Sequence, residues 1–297
     1  MKYIDRKGNI TIEENGQDKL LRHLYNDWGG RLCLKVLVRP FVSKLGGAFL
    51  NTRLSARIVP DFVKRNSIDL SVCEKQEFAS YNDFFTRRLK PRQRPVAENE
   101  RYLISPCDAK LTVCRISRGS RFYIKDTLYT VKGLLKNEKL AGRYLGGYAL
   151  IFRLTVEDYH HYCYPAGGQK SENVKIPGVF HTVNPAANDV CPIYRENSRE
   201  YCLLKTEKFG TLVLMEVGAM MVGKITNLHL GPCGVKRGQE KGWFEFGGST
   251  IVVLVQHGKV RLDADLLENS ENGYETIVRM GERIGECKLP KRTGKTD

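Results

Sequence analysis

The sequence predicts an α+β protein in which a helical, basic N-terminal layer lies on a β-rich core of sandwich or barrel type. Two patterns predict this fold class. Apolar residues in the first third of the chain recur at three-to-four-residue spacing, as on one face of a helix. From about Arg101 onward, short apolar runs alternate with Gly, Pro and Asn turns. The 297 residues, 41% of them hydrophobic, are enough to bury a large core.

The N-terminal region, residues 1–95, is predicted to be helical and to associate with a membrane. Residues 20–65 include nine Lys or Arg and two Asp or Glu. Their apolar stripe consists of Leu34, Leu37, Val38, Phe41, Leu45 and Phe49. Their basic face carries Arg31, Lys35 and Arg39. Pro40 indicates two short helices or a kink. The pattern is typical of helices in the interface of an anionic membrane, and equally of surface helices packed on a core.

Residues 96–290 are predicted to form a β-rich catalytic domain, and residues 291–297 a flexible basic tail. Prolines and charges in SYNDFFTRRLKPRQRP mark the connection to the N-terminal region. The predicted strands are LTVCRI, FYI, YTV, YALIFRLTV, KIPGVFHTV, YCLLKT, TLVLMEVGAMMVGKI, STIVVLV and KVRL.

Composition excludes several classes of function. The chain has no uninterrupted apolar run long enough to span a bilayer and no apolar leader, so we expect a cytoplasmic protein. Its nine cysteines include no C-x-x-C pair, which indicates reduced thiols and no metal site. The net charge of +15 indicates an anionic partner, but the sequence contains no nucleic-acid-binding motif. An anionic membrane surface is therefore the favoured partner.

Four segments contain side chains suited to catalysis. They are Asp108 in ISPCDAKL, His160, His161 and Cys163 in VEDYHHYCYP, His181 in VFHTVNPAA, and Ser249 in WFEFGGSTIVV. Each has an ordinary explanation when taken alone: an acid in a turn is commonly a cap, and Gly-Gly-Ser-Thr is commonly a tight turn. Together they offer a serine nucleophile, a histidine base and an aspartate that could orient the base.

In these motifs the chain resembles the phosphatidylserine decarboxylases, a family of self-processing, pyruvoyl-dependent enzymes. The resemblance covers about four fifths of the sequence in order. It rests on NDFFTRRLKPRQRP, ISPCDAKL, IKDTLYTVKGLL, RLTVEDYHHYCYP, TVNPAA, ENSREYCLL, TEKFGTLVLMEVGAMMVGKI, KGWFEFGGSTIVVL and GYETIVRMGERIG. The combination of GGST with EKGWFEF and EVGAMMVGKI is specific, whereas GGST alone is not.

The resemblance implies a self-made cofactor and a lipid substrate. The chain would cleave itself between Gly248 and Ser249, and Ser249 would become a pyruvoyl group that takes the place of pyridoxal phosphate. A Schiff base between this group and phosphatidylserine would lose carbon dioxide and yield phosphatidylethanolamine, a step of phospholipid biosynthesis. His160 matches the residue that assists decarboxylation, as proton donor. Asp108 matches the acid of the self-cleavage triad.

The chain departs from the family pattern at Cys163. In the family this position holds the second histidine of D-Y-H-x-x-H, which acts as the base for self-cleavage. A thiol is a poor substitute for a neutral imidazole. Three explanations are open: His161 turns inward, His181 supplies an imidazole from the next strand, or the chain does not process itself. We favour His181, because a replacement across the sheet preserves the geometry best.

The resemblance also implies partners. The two cleaved chains are expected to stay together as a heterodimer. Family members commonly dimerise, but the sequence leaves open whether this chain forms a homodimer. A lipid substrate requires docking, so we expect peripheral attachment to a membrane that contains phosphatidylserine. Two rival functions are a pyruvoyl decarboxylase for a soluble amino acid and a membrane-binding module that has lost its base.

Overall fold

The computed structural model confirms the α+β class. Its described residues are 2–12, 23–25, 27–124, 127–188, 192–219, 224–245 and 249–288. The fold is built on one large mixed sheet, with three small sheets and several short helices packed around it. Within these residues the large sheet is an open path of strands and does not close into a barrel.

The strands are short, and most are bounded by turns. They are β1 (Lys2–Ile4), β2 (Ile10–Ile12), β3 (Tyr102–Ile104), β4 (Ala109–Arg115), β5 (Arg121–Ile124), β6 (Thr127–Thr130), β7 (Tyr148–Leu154), β8 (His161–Cys163), β9 (Gly168–Lys170), β10 (Val174–Ile176), β11 (Arg199–Lys205), β12 (Thr211–Val217), β13 (Lys224–Asn227), β14 (Cys233–Val235), β15 (Glu240–Glu245), β16 (Ser249–Val255), β17 (Val260–Leu262), β18 (Glu275–Val278) and β19 (Arg283–Cys287). The large sheet has the order β14-β9-β11-β12-β16-β7-β4-β18-β1-β2, and β10 pairs with β11.

The centre of the large sheet is the antiparallel group β11, β12, β16 and β7. Every residue of β16 is buried, because both faces of the sheet are covered. Side chains alternate between the two faces, so Ser249 and Ile251 share one face. Glu216 on β12 pairs with Ile251, which places its carboxylate on that same face. Ser249 itself pairs with Leu154, the last residue of β7.

The small sheets pack around the large one, and the sheet with β15 contacts its central strands, since Lys241 on β15 pairs with Glu216 on β12. The small sheets have the orders β13-β15-β8, β17-β19-β3 and β5-β6. In the first of them, β8 carries the histidine-rich motif, and His161 pairs with Trp243 on β15. The motif is therefore held between a small sheet and the end of the central strands.

The helices are also short. They are α1 (Trp28–Leu37), α2 (Pro40–Leu50), α3 (Val59–Arg65), α4 (Tyr81–Phe85), α5 (Val131–Leu135), α6 (Glu138–Gly142), α7 (Pro185–Asn188), α8 (Ile193–Glu196) and α9 (Ala264–Glu271), with 3-10 helices at Arg53–Ile58 and Leu70–Val72. Pro40 begins α2, so the expected division at this proline is confirmed. Proline is favoured there because the first turn of a helix leaves its N–H groups unpaired.

A second, smaller apolar cluster positions α4. Val59, Tyr81, Phe84 and Phe85 are buried in it, and Phe62 and Phe78 pack edge-on against Phe84. Ser80 caps the helix by accepting a hydrogen bond from the Asp83 N–H. The helix ends at Phe85, beside the histidine-rich motif.

The N-terminal region, predicted to be mostly helical, also contains two strands that the sequence did not predict. Strand β1 pairs in parallel with β18, and β2 pairs with β1. Strands of three residues are too short to produce a detectable alternation. The proposed division at residues 95 and 96 stays a prediction, and the predicted tail, 291–297, lies outside the described residues. Within the described part of the chain, every helix is too short or too polar to cross a bilayer.

Candidate active site

Ser249 lies at the start of the most deeply buried strand of the sheet. It is the first residue of β16, and its solvent exposure is 0%. The following residue, Thr250, pairs with Val217 on one side and Arg153 on the other. The backbone just after Ser249 is thus fixed by two neighbouring strands, which gives its hydroxyl a defined position. Gly248, the other residue of the expected cleavage site, lies outside the described residues.

His160 is the imidazole that meets this serine. Its Nδ1 lies 3.4 Å from Ser249 Oγ, and its Nε2 lies 3.0 Å from the main-chain oxygen of Thr155. A carbonyl oxygen only accepts hydrogen bonds, so Nε2 carries the hydrogen. In the neutral ring, Nδ1 then has a free lone pair directed at the serine hydroxyl. This is the tautomer that a general base requires.

The surroundings of His160 keep its ring neutral. The residue is 0% exposed, and burial, with the positive charge of Arg87 as the next cause, holds its pKa well below the usual value. The ring of Phe85 lies 3.9 Å from the imidazole, measured between ring centroids, at an interplanar angle of 31°. This aromatic contact fixes the plane of the imidazole and excludes water from one of its faces.

The turn between Thr155 and His160 is held by a buried polar cluster. The Asp158 carboxylate accepts hydrogen bonds from the Thr155 N–H at 2.7 Å and from Lys110 Nζ at 2.9 Å. Lys110 Nζ also donates to Glu157 Oε1 at 3.0 Å. Burial raises the pKa of Asp158, and Lys110 opposes this effect. The cluster positions the Thr155 carbonyl, which in turn determines the tautomer of His160.

Asp108 is buried near the motif but is bonded to other groups. Arg94 Nε donates to Asp108 Oδ1 at 2.8 Å, and the Met280 N–H donates to the same oxygen at 2.8 Å. The hydrogen bonds of Asp108 within the described residues therefore go to Arg94 and Met280, and neither Ser249 nor His160 is its partner. The expected orientation of a base by Asp108 is not seen in this arrangement.

Cys163 is a neutral thiol. Its Sγ faces the main-chain oxygen of Ser105 at 3.9 Å, and its N–H donates to the oxygen of Pro106. Burial, together with the nearby charge of Asp108, raises its pKa to about 12. A thiol with this pKa does not take a proton from serine at neutral pH.

The other two histidines are bonded away from the serine. His161 Nδ1 lies 2.5 Å from Glu240 Oε1, and its Nε2 lies 3.1 Å from the Thr86 oxygen. His181 Nδ1 lies 3.2 Å from the Tyr25 hydroxyl, and its Nε2 lies 3.4 Å from Glu196 Oε2. The geometry therefore does not support the expectation that His181 supplies the base.

That expectation rested on replacing the imidazole missing at Cys163 from across the sheet, while His160 was assigned to decarboxylation. Strand β8 begins only at His161, so His160 belongs to the preceding turn, where its ring is free to turn toward β16. Sequence reasoning also missed Phe85, Arg87 and Lys110. The first two lie in NDFFTRR, a segment that carried the family resemblance without being given a function. Lys110 gave no signal, because a lysine in a strand is usually solvent-exposed.

The comparisons with known proteins identify the family of this chain. A buried serine with an adjacent neutral imidazole defines a protein built around an activated serine. Residues 81–286 match the family described as Phosphatidylserine decarboxylase. The chain therefore belongs to the phosphatidylserine decarboxylase family, which is a family of enzymes.

Relatives match the chain over most of its length. It is 43% identical over 278 residues to phosphatidylserine decarboxylase proenzyme 2 of Clostridium acetobutylicum, and the alignment covers 93% of this chain and 95% of that protein. It is 39% identical over 296 residues to the phosphatidylserine decarboxylase proenzyme of Ruminiclostridium cellulolyticum, with 98% of both chains covered. The proenzyme of Fusobacterium nucleatum is 37% identical over 294 residues, covering 97% of this chain and 98% of its own.

Proposed function

We propose that this chain decarboxylates phosphatidylserine to phosphatidylethanolamine, using a pyruvoyl group that it makes from Ser249 by cleaving itself after Gly248. The observation that carries the proposal is the buried hydrogen bond between Ser249 Oγ and His160 Nδ1. Relatives named as proenzymes support it, because that name describes a precursor that becomes active by processing.

Self-cleavage begins with proton transfer from Ser249 to His160. As Nδ1 takes the hydroxyl proton, Oγ attacks the carbonyl carbon of Gly248. The bond between that carbon and the Ser249 nitrogen breaks, the nitrogen takes up a proton, and an ester joins Gly248 to Oγ. The Thr155 carbonyl assists by accepting the Nε2 hydrogen, which stabilises the positive charge that His160 gains.

Elimination and hydrolysis complete the processing. Loss of the Ser249 Cα proton breaks the bond between Cβ and Oγ, which releases chain 1–248 with Gly248 as its carboxylate. The dehydroalanine left at position 249 tautomerises to an imine. One water molecule then converts the imine to a keto group and releases ammonia.

The strands around Ser249 suit a group that remains buried after the cut. Hydrogen bonds to β7 and β12 hold β16, so chain 249–297 stays in the sheet as the partner of chain 1–248. The pyruvoyl group supplies an electron sink for decarboxylation. His160 lies next to that position and returns a proton to the substrate carbon once carbon dioxide has left. One imidazole therefore serves both stages, which removes the need for a histidine at position 163.

The N-terminal helices provide a surface for docking on an anionic bilayer. On α1, Trp28 is 85% exposed and Leu32 58%, and on α2 Phe41 is 67% exposed. Arg31 and Lys35 are also exposed on α1. Exposed aromatic and apolar side chains next to basic ones are typical of helices that lie in a membrane interface. We infer that the protein attaches peripherally to membranes that contain its lipid substrate.

Intact mass spectrometry of the purified protein tests the processing. We expect one chain of residues 1–248, and one of residues 249–297 lacking the serine amino group and carrying a keto group. Ser249→Ala and His160→Ala should both remain unbroken, whereas His181→Ala should be cleaved. Cleavage of Ser249→Ala would refute the pyruvoyl assignment, and an unbroken wild-type chain would favour the membrane-binding module.

Activity on lipid vesicles tests the substrate. Vesicles with and without phosphatidylserine are compared with free serine, and release of carbon dioxide is measured. We expect turnover with phosphatidylserine vesicles alone. Turnover of soluble serine without lipid would favour the rival function, a decarboxylase for soluble amino acids.

A further inference from the structure

Arg87 is a buried cation that takes part in no ion pair among the described residues. It is 4% exposed, and its guanidinium donates to the main-chain oxygens of Phe84, Glu157 and Asp158. Burying a guanidinium without a carboxylate partner is energetically unfavourable, because carbonyl dipoles replace its hydration only in part. A role at a neighbouring site would account for an arginine in this position.

The neighbouring site is the Ser249–His160 pair. Arg87 follows α4, whose last residue, Phe85, stacks on the His160 ring. The guanidinium lies over the ring of Phe84, 4.8 Å from its centroid, and contacts the Cys73 thiol. The apolar cluster that holds α4 therefore fixes Arg87 as well.

We propose that Arg87 is a positioning residue for self-cleavage: its guanidinium holds the turn that leads to His160, and its charge keeps the imidazole in the neutral form that accepts the serine proton.

The positioning part of the proposal follows from the two hydrogen bonds that Arg87 makes to residues distant in sequence. Arg87 Nη2 lies 2.9 Å from the Glu157 oxygen and 3.2 Å from the Asp158 oxygen. These carbonyls lie in the turn between Thr155, which accepts the Nε2 hydrogen, and His160 itself. The same turn is also held by the Asp158 side chain, which accepts hydrogen bonds from Lys110 Nζ and from the Thr155 N–H. Arg87 thus bonds the main-chain oxygens of this turn, whereas the buried polar cluster bonds its side chains.

The electrostatic part follows from the charges around His160. Three cationic or ionisable groups act on it: Arg87 from the end of α4, Lys110 from β4 and His161 from β8. Lys110 is paired with Asp158 and Glu157, and His161 with Glu240. The Asp108 carboxylate is paired with Arg94. Arg87 makes no salt bridge within the described residues, and the carboxylates of Asp158 and Asp108 act on it only from beyond salt-bridge distance, so its repulsion of a protonated imidazole is the least offset of the three.

The direct test measures the pKa of His160 by NMR in the Ser249→Ala precursor, which stays in one piece. Arg87→Gln removes the charge and Arg87→Lys keeps it. Arg88→Gln is the matched control, because Arg88 is half-exposed and pairs with Glu240. We expect Arg87→Gln to raise the pKa of His160 by about one unit, and Arg87→Lys and Arg88→Gln to leave it unchanged. No shift in Arg87→Gln, or an equal shift in Arg88→Gln, would overturn the electrostatic part.

A second test follows self-cleavage against pH with Ser249 intact, and this arm rests on the proposed function. The pH of half-maximal cleavage should rise in Arg87→Gln, since His160 is then protonated at a higher pH. Arg87→Lys should keep that pH but slow cleavage roughly tenfold or more, because the turn loses its two-carbonyl contact. Wild-type speed in Arg87→Lys would overturn the positioning part.

The two tests also separate this proposal from the proposed function. If Arg87→Gln does not fold, Arg87→Met, which also removes the charge, takes its place in both tests. If the wild-type chain fails to cleave, the proposed function is wrong, and the NMR titration still decides whether Arg87 controls His160.

Discussion

The buried ion pair between Lys241 and Glu216 allows a quantitative prediction about stability. Lys241 Nζ lies 2.7 Å from Glu216 Oε2, and the side chains are 2% and 1% exposed. Lys241 also donates to Asn227 Oδ1 at 2.6 Å. Glu216 Oε1 has no hydrogen-bond partner among the described residues. We predict that Lys241→Met is strongly destabilising, because it leaves this carboxylate buried without its cation.

The expected size of the effect follows from the completeness of the burial. Removing one partner of a buried pair lowers the free energy of unfolding by about 3–5 kcal/mol. The double variant Glu216→Leu with Lys241→Met replaces both charged groups, so no charge remains to be desolvated. Its stability should be within about 1 kcal/mol of wild type, or above it. Lys132→Met is the control, since its pair with Glu138 is exposed on both sides and should contribute less than about 1 kcal/mol.

The pH dependence of the single variant gives a second check. Burial raises the pKa of Glu216 above its ordinary value, and the loss of Lys241 raises it further. A carboxyl with a raised folded-state pKa binds more protons when folded than when unfolded, so stability falls as pH rises through that interval. Lys241→Met should therefore be more stable at pH 5 than at pH 8, relative to wild type.

Urea denaturation of the Ser249→Ala precursor measures these differences on a single unbroken chain. Tryptophan fluorescence and circular dichroism should give coincident transitions if unfolding is two-state. A loss below about 1 kcal/mol in Lys241→Met, or a double variant as unstable as the single one, would refute the reasoning from buried charge.

Three further predictions concern the site and the membrane. Cys163→Ala should still cleave itself, because a buried neutral thiol takes no part in proton transfer; intact mass shows the result, and an unbroken chain would contradict it. Lys110→Met should slow cleavage, since Asp158 then loses its cation and the turn before His160 loosens, while Lys132→Met, which breaks an exposed pair with Glu138, should not. Replacing both Trp28 and Phe41 by Ser should weaken sedimentation with anionic vesicles at least tenfold, given about 1.5 kcal/mol or more for each fully buried side chain; equal binding would exclude α1 and α2 as the docking surface.

Much of the architecture could be predicted from local patterns. The apolar run after Ser249 predicts a core strand, and Pro40 predicts a helix boundary, because both signals lie within a few residues. Strand β1 could not be predicted, since its three residues owe their conformation to pairing with β18, more than 270 positions away. The α+β class thus follows from the sequence, whereas the topology depends on distant pairings.

The sequence names the residues of the candidate site but not which of them lie together. In the structure Ser249 lies beside His160, whereas His181, the base that the sequence favours, is bonded to Tyr25 and Glu196. The roles of these residues stay predictions, and the position of His160 depends on a turn that Lys110 and Arg87 hold from other parts of the chain. Patterns in one segment cannot show which of several imidazoles a buried side-chain cluster turns toward the serine.

The parallel pairing of β1 with β18 has a consequence for refolding. In the proposed processing, cleavage after Gly248 would place β1 on one chain and β18 on the other, while β16 would still lie between β7 and β12. Before the cut, the sheet forms from one chain and unfolding is reversible in principle. After it, refolding would be a bimolecular reaction that depends on protein concentration, and the serine proposed to make the cut would no longer exist. Processing would therefore replace thermodynamic stability by kinetic stability, because the processed protein would stay folded only as long as it unfolds slowly.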